Sequence, residues 1–348
     1  MNQEQIYYVG MDLHKKTITI CVKKADGKIV SRCSAQATRE ALSEWLGTMK
    51  RPWIGAMEAT MFTGWVYDFL KPHALELQVA HPPMLAAIVA GKHKNDRADA
   101  GKIADLLRVN LIPQCYMVSE KTRWLRRMMR YRNLMVREAT RMKNNICGLL
   151  MECGQEYDGR RIHGGKYFTE SLHSFEHVPD SIKQLMRYSR ESLLMFQSVQ
   201  KQLARELRNN PLLRRRVRRL MTIAGVGEAM ALTWALEVED SRRLGSIGKA
   251  QSYCGLCAAQ NSSAGKDKRG PISKKRNKHL QTMLVEVAKL APRHNAALKA
   301  VYDKELKRGN RNRATLAVAR KLVAYMLAVD KAERCFEPRG EQLKPQAA

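Results

Sequence analysis

The sequence predicts an α/β domain followed by an all-α region, and three observations carry that expectation. β-Branched and aromatic runs crowd into the first eighty residues, where they come to alternate with short helical patterns. Apolar residues then recur at spacings of three and four along two long basic stretches, and beyond Pro211 the remaining pattern is helical.

Ile6 to Leu13 and Thr17 to Lys23 are strand-like, and the turn Ala25-Asp26-Gly27-Lys28 leads into a third run, Ile29 to Ala35. An antiparallel meander is expected. Arg39 to Leu46 has helical spacing, Trp53 to Met57 is a short apolar strand, Thr60 to Leu70 a helix, and Leu75 to Ala80 a strand that stops before Pro82-Pro83. Asp96 to Leu107 is helical again, and the domain, residues 1–118, closes near Pro113 to Val118. In residues 119–210, Leu125, Met128, Met135, Ala139, Met142, Ile146 and Leu149 form one seam, and Ser181 to Leu207 repeats the style. A long helical hairpin or coiled-coil linker is expected, serving as a spacer or oligomerisation arm with its Arg and Lys outward. Gly154 to Pro179 shows no periodicity and reads as a loop or hinge. Residues 211–332 form a helical C-terminal domain whose last helix runs from about Arg313 to Ala332, and residues 333–348, with Pro338, Gly340 and Pro345, read as a disordered tail.

Charge narrows the function. The 348 residues include 62 Lys and Arg against 33 Asp and Glu, a formal charge of +29 spread along the whole chain, so an extended surface for a long polyanion such as double-stranded DNA is expected. The N-terminus lacks a basic and then apolar leader, and no apolar run reaches membrane-helix length, so a cytoplasmic, nucleoid-associated protein without membrane contact is expected. The eight cysteines read as reduced core residues; Cys254-Gly-Leu-Cys257 has metal-ligand spacing but lacks a second pair to complete a zinc site.

Two constellations carry chemistry. Asp12 ends the first strand and Glu58 the fourth, each an acid where neighbouring positions are apolar, while Asp96 and Asp99 lie at i and i+3 on one helix face. Four carboxylates converging at one sheet edge repel unless a divalent ion intervenes, and oxygen-only ligands favour Mg²⁺ or Mn²⁺, which suits phosphodiester chemistry. From Val9 to Asp99 the chain resembles the ribonuclease-H-like, RuvC-type nuclease fold with a DEDD set of acids, a likeness that makes Asp12, Glu58, Asp96 and Asp99 the metal ligands.

The second constellation lies near the C-terminus. Leu220 to Ala229 places Gly225-Val226-Gly227 between two helices and resembles a helix-hairpin-helix element, whose glycines let backbone N–H groups face a phosphate; a plain tight turn is the other reading. Ser262 and Ser263 follow in a stretch expected to be a flexible cationic loop, with Lys266, Lys268, Arg269, Lys274, Lys275 and Arg276 as cations for a nucleic-acid backbone. A serine hydroxyl needs a base or metal nearby to act as nucleophile.

The order of these features resembles the DEDD transposases of bacterial insertion sequences, the group that includes the Piv-type DNA invertases. That resemblance covers nearly the whole chain, with departures at Cys257-Ala258, Ala264 and Arg276. It implies a transposase or site-specific recombinase in which a serine, Ser262 in preference to Ser263, forms a covalent phosphoserine link to DNA. It also implies a structured non-coding guide RNA as partner, and homodimers that pair into tetramers. The rival expectations are a RuvC-like hydrolytic nuclease of the junction-resolvase type, in which water replaces serine, and a non-catalytic nucleic-acid-binding protein.

Overall fold

The computed structural model describes residues 5–88, 96–263 and 266–338, with side chains at all of these except 96–97 and 261–269. The chain divides into two compact units, Met1–Glu120 and Lys121–Ala348.

In the first unit, β1 (Tyr7–Leu13), β2 (Thr17–Lys23) and β3 (Ile29–Gln36) form the expected meander. They are followed by α1 (Arg39–Gly47), β4 (Trp53–Glu58), α2 (Thr63–Leu70), β5 (Glu76–Ala80), α3 (Pro82–Ile88) and α4 (Asp96–Arg108). The five strands make one mixed sheet in the order β3-β2-β1-β4-β5, antiparallel from β3 to β1 and parallel from β1 to β5. Helix α3 was not expected. Pro82-Pro83 opens it instead of breaking the chain, because proline in a first helical turn gives up only an N–H that would have no intrahelical acceptor.

Alternation along the strands divides the core. Val9, Met11 and Leu13 of β1 pack with Leu42 and Trp45 of α1 and with Val66 and Leu70 of α2. Tyr8 of β1 and Ala56 of β4 face the other way, against Leu85 of α3 and Ile103 and Leu107 of α4. Helices therefore cover both faces, which is why β1 is buried along nearly its whole length. Gly10 sits on the α4 side. A Cβ there would stand 2.1 Å from the Ala100 carbonyl oxygen and 2.5 Å from the Ala104 nitrogen, so the backbones of β1 and α4 meet with no room for a side chain. Asp105, half-exposed, accepts a 2.6 Å hydrogen bond from the nearly buried ammonium of Lys23 and helps hold α4 to β2.

The second unit runs through α5 (Glu120–Glu152), α6 (Gly165–Ser174), α7 (Asp180–Asn209), α8 (Pro211–Met221), α9 (Glu228–Val238) and α10 (Ile247–Tyr253), then β6 (Ala258–Ser263) and β7 (Lys266–Ile272), then α11 (Lys278–Leu290), α12 (Ala296–Leu306) and α13 (Arg311–Ala332). Two long helices stand where the apolar seams were read. The segment between them is not simply a loop: α6 packs Phe168 and Leu172 against Ile146 and Leu150 of α5 and Met186 of α7, making a small core of its own. Nor is the C-terminal region all-α, since β6 and β7 pair as an antiparallel hairpin. Helix α9, buried from Met230 to Val238, packs against α8 and α11, and its Trp234 indole donates to Asp330 of α13.

The start of the expected tail is ordered. The Phe336 N–H donates to the Thr222 hydroxyl and its ring lies 4.7 Å from that of Tyr325, while residues 339–348 lie outside the described residues. Cys21 and Cys254 are buried as expected, but Cys33 and Cys335 are exposed. Among the described residues no helix is long and apolar enough to cross a membrane.

Replacing Gly10 by Ala should destabilise the first unit by about 3 kcal/mol, the upper range for overpacking, because two backbones must separate. Gly101→Ala, where a Cβ meets the tip of Arg32 at 3.6 Å and the Cys21 sulfur at 4.0 Å, both ordinary contacts, should be neutral or stabilising by up to ~1 kcal/mol. Thermal unfolding of the two variants beside the wild type separates these outcomes.

Candidate functional site

Sheet register and helix docking together place three of the expected acids. The parallel pairing of β1 with β4 matches Gly10 with Ala56 and Met11 with Met57, so Asp12 and Glu58 come one residue further along adjacent strands, at their carboxyl ends. By alternation both lie on the face covered by α4. Helix α4 brings Asp99 to that face beside Ala100, the residue whose carbonyl abuts Gly10. The Asp12 carboxylate is nearly buried, and the imidazole Nε2 of His14 stands 3.1 Å from its Oδ2. Asp99 accepts a long 3.4 Å contact from Lys102 one turn away. The Glu58 carbonyl receives the Thr63 hydroxyl, which fixes the start of α2 behind the strand end.

Asp96 opens α4, but its side chain lies outside the described residues. Among the described residues no three His, Cys, Asp or Glu side chains stand close enough to hold one metal ion. The chemistry of the donor set still suits a hard cation, since Asp12, Glu58 and Asp99 offer only carboxylate oxygens. His14 was not singled out from sequence; its place two residues past Asp12, at the strand end, is the signal that could have found it.

In the second unit the serine doublet lies on a strand, where a flexible loop was expected. Cα pairing sets Ser262 across from Asp267 and Ser263 across from Lys266. The side chains of Ser262, Ser263, Lys266, Lys268 and Arg269 lie outside the described residues. Lys274, Lys275 and Arg276, just beyond β7, are exposed; the Arg276 guanidinium donates to the Ser273 carbonyl, and its stem packs over Gly255. Gly255 is in the left-handed region (φ 70°), and a Cβ there would stand 2.4 Å from Arg276.

The hairpin is tied to the helical core through one buried carboxylate. Glu237 of α9 receives two hydrogen bonds from the Arg130 guanidinium, at 2.7 and 2.8 Å, and one from the Asn277 amide at 2.8 Å. Arg126 stands 3.7 Å away, and the Tyr253 hydroxyl donates to the Glu237 carbonyl. Asn277 also caps α11, and its N–H donates to the Tyr253 carbonyl. The two ends of the segment that contains the hairpin, Tyr253 and Asn277, are thus fixed to each other and to α5. Burial alone would raise the Glu237 carboxyl, but the hydrogen bonds and charges of Arg130, Asn277 and Arg126 outweigh it and hold it below the usual range. Cys254, at the end of α10, is pushed up to about 12 by burial, which keeps it a neutral core thiol.

Gly225-Val226-Gly227 forms the turn between α8 and α9. Gly225 is left-handed (φ 94°), and a Cβ would meet Ala291 at 2.8 Å, so close packing accounts for it; Gly227 is exposed at the start of α9. Val226 is buried between them.

Comparison with known proteins gives this arrangement its context. A family model for DEDD transposases of the IS110 type, described as a transposase, matches residues 9–154, and one for transposases of the IS116/IS110/IS902 family matches residues 217–303. The chain belongs to the DEDD transposases of insertion sequences. Transposases are enzymes that cleave and join DNA. The first match spans Asp12, Glu58, Asp96 and Asp99, and the second spans the Gly225 turn, both serines and the cations around them. Relatives of similar length include a probable family 20 transposase of Pseudomonas aeruginosa, 24% identical over 95% of this chain and 98% of that protein. The transposase for insertion sequence element IS1328 of Yersinia enterocolitica is 25% identical over 90% of this chain and 93% of its own length. The transposase for IS1111A of Coxiella burnetii is 24% identical over 96% and 93%.

Glu237 gives this transposase a pH signature. A carboxyl held low in the folded state contributes stability above its ordinary pKa of 4.5, and that contribution is lost as pH falls through the folded value. Glu237→Gln should cost about 3 kcal/mol at neutral pH by leaving Arg130 and Arg126 without their carboxylate. The gap to wild type should close below pH 4.5, as read from denaturant midpoints across a pH series.

Proposed function

We propose that this transposase cuts and rejoins DNA through a covalent phosphoserine intermediate, with Asp12, Glu58, Asp96 and Asp99 as ligands for Mg²⁺ or Mn²⁺ and Ser262, or else Ser263, as the nucleophile. The observation that carries the proposal is the placement of Asp12, Glu58 and Asp99 on the α4 face of the sheet at the carboxyl ends of β1 and β4, where open α/β sheets bind their ligands. The strand order β3-β2-β1-β4-β5, with its antiparallel meander and parallel continuation, supports a ribonuclease-H-like, RuvC-type reading of the first unit.

A divalent ion bound by these acids would supply charge neutralisation at the scissile phosphate. The protein's own part is to hold the acids in place and to deliver the serine. The serine oxygen loses its proton and attacks phosphorus; the P–Oγ bond forms as one backbone P–O bond breaks, and the displaced sugar oxygen takes up a proton. Strand transfer reverses this with a second DNA end, so the bond is conserved without hydrolysis. Lys274, Lys275 and Arg276, with Lys266, Lys268 and Arg269 of the hairpin, are assigned to the DNA backbone, as are the N–H groups of Gly225 and Gly227.

The proposal divides the chain into a metal-binding domain at 1–118, a helical arm at 119–210, a serine-bearing domain at 211–332 and a tail beyond it. A structured guide RNA, and dimers pairing into tetramers, complete it. Exposed Leu185, Tyr188, Leu194 and Met195 on α7 support an arm that meets a second copy.

The test incubates the purified chain with Mg²⁺, RNA transcribed from its flanking DNA and labelled element-end DNA, and then maps any protein–DNA adduct after denaturing electrophoresis. A phosphoserine at Ser262 or Ser263 is expected, lost in Asp12→Ala and in the double Ser→Ala variant. Cut DNA without an adduct would transfer the assignment to a hydrolytic nuclease, and binding without cutting would leave a nucleic-acid-binding protein.

A further inference from the structure

Helix α8 carries five arginines in eleven residues, at 214, 215, 216, 218 and 219, and the fold uses only two of them. Arg216 pairs with the buried carboxylate of Asp330 and donates to the carbonyls of Ala235 and Glu239. Arg219 donates to the Glu333 carbonyl at 2.8 Å. Arg214, Arg215 and Arg218 are exposed and make no side-chain hydrogen bond or ion pair with any described residue. These three line, together with Arg219, a cleft of about 620 Å³ whose other walls include Pro211, Thr222 and Cys335.

We infer that this cleft is a binding site for the phosphodiester backbone of a nucleic-acid duplex. Like charges one helical turn apart, as Arg214 and Arg218 are, repel each other unless an anion lies between them. The cations form a row along the helix, which suits successive charges of a polyanion better than one small anion. Guanidinium forks match phosphate oxygens in bidentate geometry. Among the described residues no aromatic side chain lines the cleft, so these walls offer no platform for stacking unpaired bases. Helix α8 ends three residues before the Gly225-Val226-Gly227 turn, the backbone contact proposed above. The inference rests on the reading that the chain acts on nucleic acid and adds to it a contact surface outside the serine hairpin.

The test compares the full-length wild type with a variant carrying Arg214→Gln, Arg215→Gln and Arg218→Gln, by fluorescence anisotropy on double-stranded DNA and on double-stranded RNA of the same sequence across a salt series. The variant should lose about 2–3 from the slope of log K against log salt, since each phosphate contact contributes about 0.9 on B-DNA. The duplex on which the loss occurs identifies whether DNA or RNA occupies the cleft. The corresponding triple Lys variant, which keeps the charges, should retain the wild-type slope. A charge-matched control, Lys304→Gln, Lys307→Gln and Arg308→Gln at the C-terminal end of α12 and just beyond it, should change the slope less. An unchanged slope on both duplexes, an equal loss in the control, or an equal loss in the Lys variant would overturn the cleft alone. A wild type that binds neither duplex would overturn the nucleic-acid reading as well.

Discussion

The missing side chain at Gly10 governs the first unit. Strand β1 is covered on both faces, and on one of them the backbone of α4 comes so close that even a methyl group would overlap the Ala100 carbonyl. That approach fixes how closely α4 lies over β1 at Ala100 and Ala104. Asp99 precedes the contacting residue by one position, and Asp12 follows the glycine by two on the same face of the strand. One glycine thus sets the distance between the helix-borne and strand-borne acids. The salt bridge of Lys23 with Asp105 adds a second tether two turns along α4. A strand end and a docked helix place their side chains more precisely than loops do.

The second unit is organised differently, around buried charge. Helix α9 is apolar nearly all round, yet it carries Glu237 into the core. A lone carboxylate there would be costly, and it is stable only because Arg130, Arg126 and Asn277 surround it. The gain is positional. Asn277 is at once a ligand of Glu237, the cap of α11 and the residue at which the hairpin segment returns to the core. A two-stranded hairpin by itself is marginal in water, so its orientation depends on what anchors its ends. Here the anchors are polar and directional, which fixes an angle in a way that apolar packing alone does not.

These two designs explain what the sequence made legible. The strands of the first unit were readable because β-branched runs and the Asp26-Gly27 turn act locally, and Asp12 and Glu58 stood out as acids closing apolar runs. The role of Gly10 was not readable, because its contact lies some ninety residues away. The hairpin β6–β7 was missed because Ala-Ala-Gln-Asn-Ser-Ser has little strand propensity; its pairing is imposed by the anchored ends. Helix α6 was missed for a similar reason, since Gly154 to Pro179 shows no periodicity while the burial of Phe168 and Leu172 against α5 and α7 supplies the stabilisation. Glu237 could not be found at all, as the arginines that hold it lie more than a hundred residues earlier.

The charge of the chain carries a similar lesson. A surplus of 29 positive charges pointed to a polyanion, but a count cannot say which cations meet it. The structure separates them by partner. Arg126, Arg130 and Arg216 are committed to buried carboxylates and carbonyls, and Arg208 to Glu228 at the start of α9. The buried pairs hold the fold together and are screened little by salt, whereas the exposed Arg208 pair is open to screening. Arg214, Arg215 and Arg218, one or two positions from Arg216 on the same helix, have no such commitment. Helical periodicity alone sorts the neighbours, turning Arg216 inward to Asp330 and the others out to the cleft. Within eleven residues, then, the same side chain does two opposite things, and the difference lies in which face of α8 it occupies.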